Sequence, residues 1–444
     1  MSVFDRIHAR SGVRAALSNI GWLSGDRILR MFGGVVVSTA VARYLGPGQF
    51  GLLNYGLAVY GLFNIMSNLG LDLLVVREVA LDDRQEPEVL GTAFVLKAAA
   101  SVVTTVAAIA AALLLEPANR TLQWIVALMS FASISQAFDV VDYFFQARTQ
   151  SRHAVVPRNL AFIAASVARL AAVFLQWSLL AFAWIGALEV LAGELGLAVF
   201  YLRFRKPQLR WTWHMERARA LLKESWPLVI SSLMVMIYMR SDQILLGKLA
   251  STAVVGEYTA AIRLSEIWYA IPVVICASVM PRLLKGREQN PGLYYARLQK
   301  LYESMVLLSV AVALGTQLAG PLVVRLLFGV KYAAASGILA VHIWTGVFVF
   351  VGCVSGQQFV QEGLARSSMH RTLLGAVVNV VLNLALIPVW GGIGSAVATL
   401  VAQATASYFA DALDMRTRHI FRMKTRAYLH FWALPRQIMQ GTEE

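Results

Sequence analysis

Charge is what this sequence has least of. Only 14% of its 444 residues are Asp, Glu, Lys or Arg, whereas 58% are hydrophobic. A soluble domain is about 25% charged and about 45–50% apolar. The mean hydropathy of +0.62 points the same way. A soluble fold this apolar would expose patches that aggregate, so composition predicts an all-α integral membrane protein. Disorder is excluded by the same numbers. Cysteine is nearly absent, which excludes a disulfide-stapled scaffold. The two present, Cys276 and Cys353, sit inside apolar runs and read as small core residues with no redox role.

Catalytic motifs are missing as well. No phosphate loop occurs, because Gly247–Lys248 lacks both the upstream glycine and the hydroxyl. There is no His-Glu-x-x-His, and the seven histidines show no metal-ligand spacing. Gly352-Cys-Val-Ser-Gly356 is not a nucleophile elbow and reads as a helix-packing face. No catalytic residue, metal or cofactor is expected, and the chain is not read as an enzyme.

Long apolar runs are what the sequence does have. Crossing ~30 Å of hydrocarbon takes about 20 residues. About twelve such stretches can be marked: 17–43, 51–75, 89–115, 120–146, 155–176, 178–202, 226–248, 255–281, 298–319, 333–359, 366–389 and 392–414. The net charge of +14 would suggest nucleic acid in a soluble chain. Here 28 of the 39 Lys and Arg fall on the N-terminal tail and the even-numbered loops. The opposite side holds five: Arg43, Arg120, Lys248, Arg325 and Lys331. Positive residues stay in the cytoplasm, so both termini are expected there, and no nucleic-acid partner is implied.

The longest connection divides the chain into two blocks of six spans. The expected organisation is an N-terminal lobe at 1–202, a basic linker at 203–225, a C-terminal lobe at 226–414 and a basic amphipathic tail at 415–444. The stretch Phe4–Leu17 reads as an amphipathic lead-in on the inner leaflet. Each block opens with a charged helix, carrying Asp26, Arg27 and Arg30 in the first and Arg240 and Asp242 in the seventh. A glycine-containing turn and an aromatic-rich helix follow, at 48–55 and 253–260. This suggests two pseudo-symmetric six-helix lobes with a cavity between them. Ser225 and Pro227 read as the start of the seventh span. Pro272, Pro281 and Pro388 mark either kinks or helix ends.

Six basic residues fall inside the spans: Arg27, Arg30, Lys97, Arg169, Arg240 and Arg263. A charge at such depth costs several kcal/mol unless it meets water, a partner or a ligand. Asp26–Arg30 and Arg263–Glu266 are spaced to pair on one helix face, and Glu189 or Glu194 could serve Arg169. Six buried cations still look more like an anion site than six separate pairs, and guanidinium forks suit phosphate. Asp26, Glu189, Asp242 and Glu266 are candidate charge partners or sites for a coupling H⁺ or Na⁺.

Two stretches then carry a family resemblance. Asp26-Arg-Ile-Leu-Arg-Met31 with Ala42-Arg-Tyr-Leu-Gly-Pro-Gly-Gln-Phe-Gly-Leu-Leu-Asn-Tyr55 resembles the opening of Wzx-type O-antigen flippases. These belong to the multidrug/oligosaccharidyl-lipid/polysaccharide (MOP) exporter superfamily, which includes MATE transporters. Glu224-Ser-Trp-Pro-Leu228, Met239-Arg-Ser-Asp-Gln-Ile244, Val255-Gly-Glu-Tyr258 and Ala261-Ile-Arg-Leu-Ser-Glu-Ile-Trp-Tyr269 resemble the start of that family's C-terminal half.

The resemblance implies a MATE/MOP-like fold and a flippase in the bacterial inner membrane. It would move undecaprenyl-diphosphate-linked O-antigen or related repeat units by alternating access around a cationic cavity. The implied partners are that glycolipid, membrane lipids, H⁺ or Na⁺, and polysaccharide polymerase machinery. The six basic residues would meet the diphosphate and acidic sugars, and Tyr55, Tyr60, Trp268 and Tyr269 would either stack on sugar or serve ordinary packing. A multidrug exporter or lipid II flippase of the same superfamily is the alternative, and a membrane glycosyltransferase or O-antigen ligase stands further off.

Overall fold

A computed structural model describes residues 3–82, 84–204, 210–287 and 290–433. Arg205 and Lys206 of the basic connection and 434–444 of the tail lie outside the described residues. Among those described there is no strand. The helices are α1 (Val3–Ser67), α2 (Asp72–Leu81), α3 (Glu86–Leu115), α4 (Arg120–Ser133), α5 (Asp139–Ala147), α6 (Arg152–Phe174), α7 (Leu179–Phe204) and α8 (Met215–Leu249). They continue with α9 (Thr252–Glu266), α10 (Ala270–Arg287), α11 (Pro291–Phe328), α12 (Ala333–His342), α13 (Thr345–Gln361), α14 (Ala365–Ala404), α15 (Ala410–Leu413) and α16 (Arg418–His430). A π-helical turn at Thr405–Phe409 joins α14 to α15.

Nine helices among the described residues are long and apolar enough to cross a membrane, and the bent pair α12–α13 makes ten. Two of these are too long for one crossing. Gly25–Leu81 has 57 residues and Arg366–Leu413 has 48, roughly 86 and 72 Å at about 1.5 Å per residue, against ~30 Å of hydrocarbon. Each is broken at a glycine of positive φ, Gly46 (70°) and Gly391 (55°), a region that side-chain-bearing residues rarely enter. Reading each as two crossings restores the twelve spans of the sequence. Pro281 lies within α10, whereas Pro388 stands three residues before the break at Gly391, in the last turn of the first half of α14.

The chain forms two compact units. The first comprises Met1–Leu45 and Leu52–Met236, and the second Gly46–Gly51 and Ile237–Glu444. In the first, a core of Leu71, Val75, Leu90, Val140, Phe144 and Leu197 gathers α2, α3, α5 and α7. The basic connection is partly built into this core. Trp211 packs 5.2 Å from the Phe94 ring and donates its indole N–H to Tyr201 Oη at 3.0 Å. Thr212 N–H donates to Pro87 O at 3.1 Å, and a Cβ on Gly91 would meet Thr212 backbone at 2.5 Å. Residues 210–214 are therefore seated on α3.

Ser225 does not start a helix. It lies ten residues inside α8, which begins at Met215, and its buried hydroxyl has no hydrogen-bond partner. The stretch before Pro227 shares one helical register with the span that follows, so no amide is left open there for a cap.

In the second unit, Cys276, Tyr294, Leu298, Tyr302, Met305, Phe350 and Val354 form the core. Ala427 of α16 is buried in it, and Met423, Tyr428 and Phe431 pack against it. The tail helix is thus part of the folded unit. Phe50 belongs to this unit too, with its ring 6.3 Å from that of Tyr332.

Candidate functional site

Four of the charged positions expected in the first unit are brought together. Arg30 Nε donates to Asp26 Oδ1 at 2.8 Å across one helical turn, the i,i+4 spacing that places both on one face. Glu189 of α7 receives Arg169 of α6 at 2.7 Å through Oε2. Its other oxygen lies 3.9 Å from Arg30 Nη1. Asp26, Arg30, Glu189 and Arg169 are one chain of alternating charge, with Arg30 also 5.2 Å over the Phe162 ring. All four are partly accessible, and Arg27 is exposed. Such a chain holds cations ready at less desolvation cost than isolated charges.

Lys97 stands apart from them. It is 1% exposed, and all three ammonium hydrogens are engaged, by Asn68 Oδ1 at 2.8 Å, Asp139 Oδ2 at 2.9 Å and Tyr143 Oη at 2.9 Å. Ammonium has three donors, so none is left to bind a ligand. Asp139 in turn receives Arg158 at 2.5 Å, and Arg158 reaches Asp142 at 2.8 Å and Glu194 at 3.1 Å. Glu194 therefore serves Arg158 rather than Arg169.

This Arg158 network was not anticipated. Arg158 lies seven residues into α6, near a span end, where a basic residue ordinarily reads as an interface anchor. The signal was present: Asp139 and Asp142 are three apart on α5, a spacing that turns two carboxylates to one side.

In the second unit, Arg240 of α8 is exposed within its span, about 14 Å from the helix end at Leu249. Among the described residues no carboxylate lies within ion-pair distance of it. Its Nη1 reaches the Gln243 amide oxygen at 3.4 Å. Arg263 lies with its guanidinium carbon 5.7 Å from the Phe50 ring centroid, a cation–π placement.

Asp242 is a buried carboxylate of this unit, 5% exposed. It accepts from Tyr258 Oη and from the Gln243 backbone N–H at 3.1 Å. A polar chain continues from there: Tyr258 Oη to Thr399 Oγ1 at 3.3 Å, and Asn379 Nδ2 to Thr399 at 3.4 Å. Asn379 Oδ1 then accepts from Ser241 Oγ at 2.9 Å and Asn383 Nδ2 at 3.1 Å. Asn383 Oδ1 is buried with no partner. Of the aromatics, Tyr55 is buried in the packing and Trp268 is exposed.

No group of three or more His, Cys, Asp or Glu among the described residues is arranged to hold a metal ion. What the geometry offers is charge inside apolar spans, the arrangement of a membrane transporter.

Comparison with solved structures identifies the fold. The chain superposes on the lipid II flippase MurJ in its inward closed conformation with a TM-score of 0.71, at 10% identity, over 92% of this chain and 91% of that one. It superposes on an inward-facing multidrug resistance MATE transporter of the MOP superfamily at 0.66, with 15% identity, over 94% and 99% of the two chains. The fold is that of this transporter superfamily, in a multi-pass membrane protein.

Within that class, the chain belongs to the polysaccharide biosynthesis protein family, whose model matches residues 16–286. Among curated proteins it is similar to the probable flippase AglR of Haloferax volcanii, 28% identical over 44% of this chain and 42% of that protein. It is also similar to Agl15 of the same organism, a probable low-salt glycan biosynthesis flippase, 26% identical over 47% and 43%. The matched stretch spans less than half the length of either relative.

Proposed function

We propose that the protein is a flippase for lipid-linked glycans, moving a diphosphate-linked oligosaccharide across the membrane by alternating access. Arg240 carries the argument. It is an exposed guanidinium inside an apolar span that meets no carboxylate within ion-pair distance among the described residues, with Asp242 and Glu266 acting on it only from further off, an arrangement that suits an anionic ligand. Arg263 of the same unit, and separately Arg27, Arg30 and Arg169 of the first unit, are further candidate contacts for an anionic substrate, while Lys97 holds Asp139 and Arg158 in place. Family membership and the two curated flippases support the same reading.

The lipid is read as undecaprenyl diphosphate and the glycan as an O-antigen-like repeat unit, in the bacterial cytoplasmic membrane. Asp242 is the candidate group for coupling to H⁺ or Na⁺. A multidrug exporter and a lipid II flippase share the fold, but the basic residues inside the spans favour an anionic substrate over a cationic drug.

Native mass spectrometry tests the proposal on gently extracted wild type and an Arg30→Ala/Arg240→Ala double variant. A polyprenyl-diphosphate glycan that co-purifies with wild type and is lost from the variant is expected. Phospholipid alone in both samples, together with no glycolipid transport by wild type in proteoliposomes, would refute the reading.

A further inference from the structure

Arg371 was counted with the loop residues in the sequence, and none of the contacts above uses it. It lies two turns into α14, its side chain 12% exposed. Its guanidinium carbon sits 4.2 Å from the Phe359 ring centroid, and Nη1 donates to Ser355 Oγ at 3.0 Å. The nearest carboxylate is Asp411, with Oδ1 4.0 Å from Nη1. That carboxylate is already committed. Its other oxygen binds Lys424 Nζ at 2.5 Å, and Lys424 also donates to Ser407 O at 2.7 Å.

Two buried cations therefore share one carboxylate. The surplus positive charge is not spread into water. Arg371 lines a cavity of about 280 Å³ together with Tyr238, Thr372, Gln403 and Ser407, and its lining includes no carboxylate. Tyr238 donates to Gln403 Oε1, and Gln403 Nε2 donates to Ser407 Oγ at 2.9 Å. The same guanidinium borders a second cavity of about 450 Å³ that includes His370, Asp414 and Arg416. Asp414 is occupied there, accepting from Ser367 Oγ at 2.6 Å and from Arg416 N–H at 2.9 Å.

We infer that Arg371 heads a phosphate-binding subsite within the second unit, with the second amide N–H of Gln403 beside it; the hydroxyl hydrogens of Tyr238 and Thr372 are held by Gln403 Oε1 and Ser368 O, so these two offer acceptor oxygens to an adjoining sugar. A guanidinium with spare N–H groups over a carboxylate-free, hydroxyl- and amide-lined cavity suits a phosphate ester, and the neutral groups suit an adjoining sugar. The stacking on Phe359 and the Ser355 hydrogen bond fix the fork, so little ordering is lost on binding. The inference rests on the flippase reading for the identity of the ligand, but not for the charge surplus.

The probe is geranyl diphosphate, titrated against purified full-length protein in a neutral detergent. Wild type is expected to bind it, and Arg371→Gln, which keeps a donor to Ser355, to bind it about tenfold or more weakly, the scale of a lost charge-assisted hydrogen bond. Arg371→Lys should recover part of the loss, and Tyr238→Phe should weaken binding less than Arg371→Gln does. Arg371→Gln binding as wild type does, or no binding by wild type, would overturn the subsite. Glycolipid transport by wild type in proteoliposomes is scored separately, and its failure would count against the flippase reading alone. Phosphatidylglycerol in the micelle that displaces the probe, with glycolipid transport by Arg371→Gln unchanged, would assign the site to a phospholipid headgroup and overturn its role in substrate binding.

Discussion

Gly51 and Gly256 lie backbone against backbone within the second unit. A Cβ built on Gly51 would stand 1.6 Å from Thr252 O, and one on Gly256 would stand 2.1 Å from Pro47 O. These are the corresponding glycines of the two similar turns at 48–55 and 253–260. Both clashes are with backbone, which cannot swing aside. Gly51→Ala and Gly256→Ala are expected to lower stability by at least about 1–3 kcal/mol. Gly48→Ala, where a Cβ meets open space, should leave it nearly unchanged. Thermal unfolding in detergent followed by size-exclusion recovery measures the difference.

Arg240 and Lys97 should separate cleanly. Arg240→Ala is expected to keep wild-type expression and melting behaviour while losing glycolipid transport, because its guanidinium makes no ion pair among the described residues. Lys97→Ala leaves Asp139 short of a buried partner, and breaking such a pair costs about 3–5 kcal/mol. It should express poorly. Equal folding defects in the two variants would contradict this division.

Asp242→Asn keeps the size of the side chain and its place beside Tyr258. It is expected to fold, and to transport at a rate that no longer responds to an imposed proton or sodium gradient. A variant whose gradient response matches wild type would remove Asp242 from coupling.

Lys424 gives a pH prediction outside the spans. Burial pulls its ammonium down to about 8, with Asp411 acting against that and Arg371 adding to it. A side chain released from the helix contact would hold its proton up to about 10.4. Between these values the undocked form binds more protons, so docking of α16 strengthens as pH rises through the window and is weakest below about 8. Hydrogen exchange over 418–430, corrected for intrinsic rate, should show protection rising as the pH is raised from about 8 to about 10. Lys424→Met should flatten the profile.

Much of this was written in the apolar runs. Twelve spans follow from segment length, because hydrocarbon leaves the backbone few other choices. Asp26–Arg30 was legible because i,i+4 neighbours need no knowledge of the fold. Arg158 and Arg371 were not. Both sit near span ends, where a basic residue is usually an interface anchor, and only the packing of α5 and α7 around one, and of α13, α15 and α16 around the other, draws them inside. The start of α8 was hidden for a different reason. Ser225-Trp-Pro227 has the chemistry of a helix start, but Thr212 and Trp211 on α3 fix the chain earlier and let the helix begin at Met215.

The excursion of Gly46–Gly51 into the second unit has a consequence for biosynthesis. These six residues emerge early, but the partners they pack against begin at Ile237. At about 5–20 residues per second, the ribosome needs roughly 10–40 s to reach them. During that interval the Gly51 approach to Thr252 and the Phe50 packing on Tyr332 are not yet made. A C-terminal fragment starting at Ile237 would lack them permanently. Expressed as two halves divided in the basic connection at 205–209, which keeps α8 whole, the protein should assemble only when both are made together, with the earlier half waiting on the later one in the bilayer.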